Sequence, residues 1–334
     1  MEPSRFKFVR FKLGYSQKDF ASLLNQKLNR AYSIPKISAW ETGGSPIPRI
    51  VASEVEVLSR SLPISARVVV FANQKGGVGK TTSVLNVGAG LALLGQAVLI
   101  IDADPQATAT QALLLDRSSD YYDHSKTIVA SLLGDLSLAS ITISSVSSTS
   151  FRGSLDLVPS HINLAEIDSR REPGVEVLLK EKISDIASAY DYILIDAPPN
   201  LGLLTWMALT AADEVVIPVR TEPYDTLGVG QILSTISKIQ RRLNPALTIT
   251  GVLPTQYDRR KVVDREVLSH LIATLGDRVP ILSPIPLSAA FGHSARAGTI
   301  TSVDSETNVG GAAYRQLSGA IALRQQFELA SVEE

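Results

Sequence analysis

The stretch RVVVFANQKGGVGKTTSVLNVGAGLALLG, residues 67–95, constrains the fold more than any other part of the chain. Its β-branched run reads as a buried strand, KGGVG as a loop, and the remainder as a helix that stops at Gly95. A strand entering a helix through glycines brings backbone N–H groups and a helix N-terminus to one point, which suits a phosphate. Gly76, Gly77 and Gly79 let the backbone approach closely and take positive φ. Lys80 is spaced to reach the β- and γ-phosphates of a nucleotide and the Thr81 hydroxyl to ligate Mg²⁺, with Val78 and Thr82 completing the loop. The usual spacing asks for glycine at position 74. Gln74 stands there instead, followed by a second lysine, Lys75.

The rest of the chain repeats the strand-and-helix theme. Short apolar runs recur at AVLIIDAD, LDLVPS, YILIDAP, EVVIPVR and LTITGVLPT, and helix-length amphipathic segments separate most of them. Continuous apolar strands alternating with helices predict a doubly wound α/β domain with a mostly parallel sheet covered on both faces, a P-loop NTPase fold over residues 67–330. SLPISA, residues 61–66, reads as a linker behind a small all-α domain at residues 1–60. Residues 137–150, with seven serines, read as an edge strand and loop.

Composition excludes several classes. The 334 residues contain no cysteine, so disulfides, cysteine-held clusters and thiol chemistry are out. His124, His161, His270 and His293 pair at no metal-ligand spacing. No run of eighteen apolar residues offers a membrane span, and the scattered charges of MEPSRFKFVRFKLGYS do not make a secretory signal. The net charge of −1 hides an asymmetry: residues 1–66 carry +5 and the remainder −6. A basic head on an acidic body points to a polyanionic partner for the head.

The carboxylates sort by position. Asp102 and Asp104 follow one apolar strand with one residue between them, so alternation puts both on one face; Asp196 ends YILID, where a metal-holding aspartate belongs. Carboxylates that merely cap the following PQATAT segment are the alternative.

KGGVGKTT resembles the deviant Walker A loop of the ParA/MinD ATPases, and VLIIDADPQATAT, YDYILIDAPPNLG, ADEVVIPVRTEPYDTLGV, GVLPTQYDRR and GAAYRQL are similar to later landmarks of the ParA branch. The likeness covers about residues 68–325. It implies that Lys75 touches the nucleotide of a partner subunit, so that two copies sandwich two ATP molecules. Asp104 then orients the attacking water, while Asp102 lies near a Mg²⁺ held through Thr81 and Asp196. Family members often read IPR near the base; this chain has SPIPLSAAFGHS, with Pro286 and Ser288 at the matching places and Leu287 where an arginine is common. The resemblance further implies a cytoplasmic, nucleoid-associated homodimer that binds DNA non-specifically and is stimulated by a ParB-like centromere-binding protein. A membrane-binding relative needs a basic amphipathic C-terminal helix, whereas this chain ends ELASVEE.

Residues 8–58 resemble a Cro/repressor-type helix-turn-helix. YSQKDFASLLN is similar to its first motif helix, capped by Ser16, and SIPKISAWETGG to its second, with Ile37 and Trp40 turned inward. QKLNRAYS joins them as a connection longer than the motif carries. Gln17 is placed for a phosphate and Lys36 and Ser38 for base edges. The family resemblance implies that this head reads an operator, giving autoregulation. A helical module that binds protein is the alternative. Two further basic clusters, KIQRR (Lys238, Arg241, Arg242) and DRRKVVDR (Arg259, Arg260, Lys261, Arg265), suit sequence-blind phosphate contact or a solvated face. A transcription regulator that senses nucleotide with little turnover is the rival to a partition ATPase.

Overall fold

The computed structural model describes residues 3–13, 15–60, 66–114, 124–144, 146, 151–170, 172–223, 225–304, 307–323, 327 and 329–330. The chain divides into two compact units: residues 1–64 with 319–326, and residues 65–318 with 327–334. The expected linker 61–66 lies, except for Ala66, outside the described residues.

Among the described residues before the linker, the first unit holds the helices α1 (Pro3–Lys12), α2 (Gln17–Leu28), α3 (Ile34–Glu41) and α4 (Arg49–Arg60). Ser16 caps α2 by accepting from the Asp19 N–H at 3.1 Å. The segment QKL continues α2 to Leu28, so residues 29–33 alone join it to α3. Side chains without β-branching and with good helix propensity extend the helix into the segment expected to be the connection. Phe6, Phe20, Leu24, Ile37, Trp40 and Val51 are fully buried together, and Phe6 meets both Phe20 and Trp40 edge-on at 5.4 and 5.6 Å. Beside them lies a buried ion pair: Arg10 Nε donates to Glu41 Oε1 at 2.5 Å, and the Gln17 amide donates to Glu41 Oε2 at 2.7 Å. Truncating one partner strands a buried charge. Glu41→Ala is therefore expected to destabilise this unit by about 3–5 kcal/mol, with Arg10→Met plus Glu41→Leu recovering most of it. Chemical denaturation followed by Trp fluorescence reads both; a Glu41→Ala cost under ~1 kcal/mol would contradict a buried pair.

Among the described residues the second unit is built on six parallel strands, β1 (Arg67–Phe71), β2 (Ala97–Asp102), β3 (Ser154–Val158), β4 (Tyr192–Asp196), β5 (Glu214–Arg220) and β6 (Thr248–Thr255). Their order is β3-β2-β4-β1-β5-β6. Each residue of β4 is buried, as a strand covered on both faces requires. The remaining described α-helices of the chain, in order, are α5 (Lys80–Leu93), α6 (Thr108–Leu113), α7 (Ile128–Leu132), α8 (Leu138–Ile141), α9 (Leu178–Ser184), α10 (Leu203–Ala211), α11 (Thr226–Arg242), α12 (Val262–Leu275), α13 (Ala290–Ala297), α14 (Thr301–Asp304) and α15 (Val309–Leu323). Val68, Val70, Leu99, Ile101, Ile193, Ile195, Val215 and Ile217 share one core with Leu204, Met207, Val229 and Ile236 of α10 and α11. Residues 280–287 run beside β6, with Val252 paired in parallel to Ile281 and Tyr257 to Pro286, so that edge is partly covered.

The serine-rich segment departs from expectation. Residues 138–141 form α8, because Ser137 caps it by accepting from the Ser140 N–H at 3.2 Å. Only then does Ile143 bridge antiparallel to Leu157; residues 145 and 147–150 lie outside the described set. Among the described residues no helix is long and apolar enough to cross a membrane.

Candidate nucleotide site

Register gathers the site. Phe71 of β1 pairs with Asp196 of β4, and Asp196 with Asp102 of β2, so three adjacent strands end level at the carboxyl edge of the sheet. In an open parallel sheet a ligand lies at that edge. The loop that leaves β1 there turns through Gly77 at φ 71° and Gly79 at φ 87°, conformations that only glycine takes cheaply. Gly76 differs from expectation: its φ is not in the left-handed region, and an added Cβ would meet only Pro199, at 3.9 Å.

Gly79 is the N-cap of α5, which starts at Lys80, so the first N–H groups of the helix face the loop. Lys80 is buried and its ammonium donates to the Lys75 carbonyl at 3.0 Å. Burial lowers its pKa, against the pull of Asp196 and Asp104. Thr81 and Thr82 follow in the first turn, both half-buried, and Val78 is fully buried.

The three carboxylates differ in what they already hold. Asp102 Oδ2 accepts from the N–H and hydroxyl of Thr110, at 2.8 and 2.7 Å, and Oδ1 from the Asp104 N–H at 3.2 Å. Burial raises its pKa to about 6 despite these bonds. Asp104 Oδ1 accepts from the Gln106 N–H at 2.9 Å, and Ser160 Oγ donates to its carbonyl at 2.7 Å. Asp196 is different: it is buried, and among the described residues neither carboxyl oxygen meets a partner at full hydrogen-bond geometry, although the Thr81 hydroxyl lies close enough to act on it. Burial and the neighbouring Asp102 push its pKa well above the ordinary carboxylate range, against the Thr81 hydroxyl and Lys80. Two buried oxygens with no well-formed hydrogen bond among the described residues, beside a threonine hydroxyl and a lysine, fit a divalent cation.

Lys75 is half-buried, and its ammonium donates to Asp225 Oδ1 at 2.6 Å. Arg220, at the end of β5, donates through Nε to the other oxygen at 2.7 Å. Burial alone would raise the pKa of Asp225, but Arg220 and then Lys75 outweigh it and hold it below the usual value. A depressed native pKa adds stability that is full above the unfolded value, about 4, and is lost as pH falls through the native one. Asp225→Asn is expected to flatten that acid limb in a stability-versus-pH series. An unchanged slope below pH ~4 would contradict the pairing.

Sequence reasoning missed Asp225, which lies 150 positions from Lys75. It also missed Thr255 and Gln256, whose side chains donate to the Val78 and Gly77 carbonyls, both at 2.8 Å. TEPYDTLGV and GVLPTQYDRR carry these residues, but only the sheet order brings them to the loop. Pro286 and Ser288 reach the same edge through Tyr257, next to Gln256; Ser288 Oγ accepts from Asn308 Nδ2 at 3.3 Å.

The two basic clusters do not come together. Arg241 and Arg242 end α11, before β6 begins, whereas Arg259, Arg260 and Lys261 follow the opposite end of that eight-residue strand, roughly 25 Å away. All five are exposed, and Arg260 pairs with Asp258 at 2.9 Å. In the first unit Lys36 is exposed and lies 5.9 Å from the Trp40 ring, Ser38 is half-buried, and the Gln17 amide is engaged by Glu41.

A six-stranded parallel sheet with a glycine loop, two lysines and clustered aspartates at its carboxyl edge defines a P-loop nucleotide-binding protein. Residues 66–249 match the AAA domain family. The chain is 36% identical over 261 residues to the chromosome-partitioning ATPase Soj of Treponema pallidum, covering 77% of this chain and 98% of that one. It is 39% identical over 215 residues to the sporulation initiation inhibitor protein Soj of Bacillus subtilis, covering 64% and 81%. A solved structure of cobyrinic acid a,c-diamide synthase from Mycobacterium smegmatis, with bound ATP analogue and magnesium, is 32% identical with a TM-score of 0.67, covering 80% of this chain and 100% of that one. The chain belongs to the AAA-domain family and, within it, to the ParA/MinD-type partition ATPases.

Proposed function

We propose that this chain is a DNA-partition ATPase that pairs around ATP. Its cofactors are ATP and Mg²⁺. The observation that carries the reading is the combination of Asp196, whose two buried oxygens make no well-formed hydrogen bond among the described residues, with a loop that bears Lys75 as well as Lys80.

Gly76 to Thr82 receive the phosphates, with Lys80 moving from the Lys75 carbonyl onto the β- and γ-oxygens. Thr81 and Asp196 hold the cation, with Asp102 beside them and already engaged by Thr110. The bound Mg²⁺ supplies charge neutralisation on the transferred phosphoryl group. Asp104 orients the attacking water, and Pro286 and Ser288 line the base. Lys75 leaves Asp225 and reaches the nucleotide of a second copy, so that self-association depends on ATP.

The dimer then presents two copies of the turn 259–261 to DNA, and paired weak contacts multiply affinity. That turn follows β6 at the nucleotide edge, which favours it over Arg241 and Arg242 as the surface that ATP controls. A centromere-binding partner stimulates hydrolysis, which releases the DNA. The N-terminal unit reads an operator as a helix-turn-helix; the five-residue connection between α2 and α3, exposed Lys36 and the +5 charge of residues 1–66 support this.

Because Asp225 holds Lys75 within one chain, Asp225→Asn is expected to tighten ATP-dependent self-association by roughly 3- to 10-fold. Sedimentation with a non-hydrolysable ATP analogue measures it, and weaker pairing would contradict a competing role for Asp225. Hydrolysis assayed with DNA and partner protein separates the two readings: a sensor with little turnover shows no stimulation.

A further inference from the structure

Gln256, the residue after β6, holds a conformation its side chain disfavours. Its φ of 56° lies in the left-handed region, which non-glycine residues rarely enter. The residue is exposed, so burial does not keep it there. What the conformation provides is a bond: Nε2 donates to the Gly77 carbonyl at 2.8 Å. Thr255, one residue earlier, donates from Oγ1 to the Val78 carbonyl at 2.8 Å. A trans peptide sets its C=O and N–H on opposite sides. Pinning the carbonyls of Gly77 and Val78 therefore aims the N–H groups of Val78 and Gly79 the other way, as an adjacent pair. Gly77 and Gly79 are the pliable points of the loop, where such pins matter most.

The same short segment reaches the basic turn. Tyr257 N–H donates to the Ile285 carbonyl at 3.1 Å, and Asp258 N–H to Asp264 Oδ2 at 2.8 Å. Thr221 Oγ1 donates to that same Asp264 oxygen at 3.0 Å. Arg259, Arg260 and Lys261 come next. We propose that Gln256 is a positioning residue for the nucleotide phosphates, and that through it the state of the phosphate loop sets the placement of the turn 259–261. Rotation of the loop peptides toward phosphate moves the Gly77 carbonyl, and the bond carries that movement into the segment leading to the turn. This rests on the nucleotide and DNA reading above.

Two variants of the full chain test it. Gln256→Glu keeps the size but opposes an oxygen to the Gly77 carbonyl; Gln256→Gly removes the side chain and relieves the left-handed strain. Affinity is measured for a fluorescent non-hydrolysable ATP analogue and for fluorescent ADP, then for duplex DNA with each nucleotide at one salt concentration. Both variants are expected to lose roughly 3- to 10-fold in nucleotide affinity. The ratio of DNA affinities with the ATP analogue and with ADP should fall toward one. Gln256→Gly should melt at or above the wild-type temperature without nucleotide, which separates positioning from folding. Nucleotide affinity within about twofold of wild type in both variants overturns the proposal. Lost nucleotide affinity with a wild-type DNA ratio overturns the link to the turn. If wild type itself shows no such ratio, the DNA reading fails, and nucleotide affinity alone still decides the role of Gln256.

Discussion

Lys75→Ala is expected to abolish ATP-dependent self-association while leaving monomer nucleotide affinity within about threefold of wild type. The loop cradle and Lys80 serve the chain's own nucleotide, so binding survives the substitution. A hydrogen bond from a charged group contributes about 1.5–3 kcal/mol. A symmetric dimer loses two of them, together worth roughly 10²- to 10⁴-fold in the dimer constant. The intrachain bond to Asp225 reduces this figure, because Lys75 must give it up before crossing. DNA binding should fall with the dimer, since a single turn 259–261 acts without its twin. A variant that lost nucleotide binding to the same extent as pairing would instead assign Lys75 to its own site.

Asp104→Ala has the second large effect. Partner-stimulated phosphate release is expected to drop about 100-fold or more, while ATP-dependent pairing persists and DNA stays bound longer. Phosphoryl transfer of this kind depends on positioning and charge neutralisation, so a misplaced water costs rate and leaves nucleotide affinity intact. Asp104 is held for such a task by its own loop: the Gln106 N–H fixes one oxygen, and Ser160 fixes the backbone. Asp102, bonded through both oxygens, has a greater share in holding α6, and its loss should reduce stability along with turnover. Phosphate release under single-turnover conditions, alongside light scattering, reads both effects. Stimulated turnover within about threefold of wild type would remove Asp104 from the hydrolytic step.

Much of the fold was legible because the six strands are unusually plain. Each is a short apolar run between polar breaks, and the structure sets a strand on each of them. The phosphate loop was legible for the same local reason, since its spacing is written in consecutive residues. Asp225, Thr255 and Gln256 were not, because their role depends on β5 being placed next to β1 and β6 next to β5, which no local pattern encodes. The Ser137 cap shows the opposite case: a local signal was present, but the serine-rich composition drew the reading toward strand. Gly76 shows that glycine in a loop motif need not mean positive φ. The basic clusters were visible as composition, but their separation along β6 required the sheet.

Light scattering on the eluting peak of wild type and Lys75→Ala, each with ADP and with a non-hydrolysable ATP analogue plus Mg²⁺, tests the central claim most directly. Wild type should elute at twice its monomer mass with the analogue and at the monomer mass with ADP, and Lys75→Ala should remain monomeric with both. A Lys75→Ala protein that pairs with the analogue as wild type does would contradict the account.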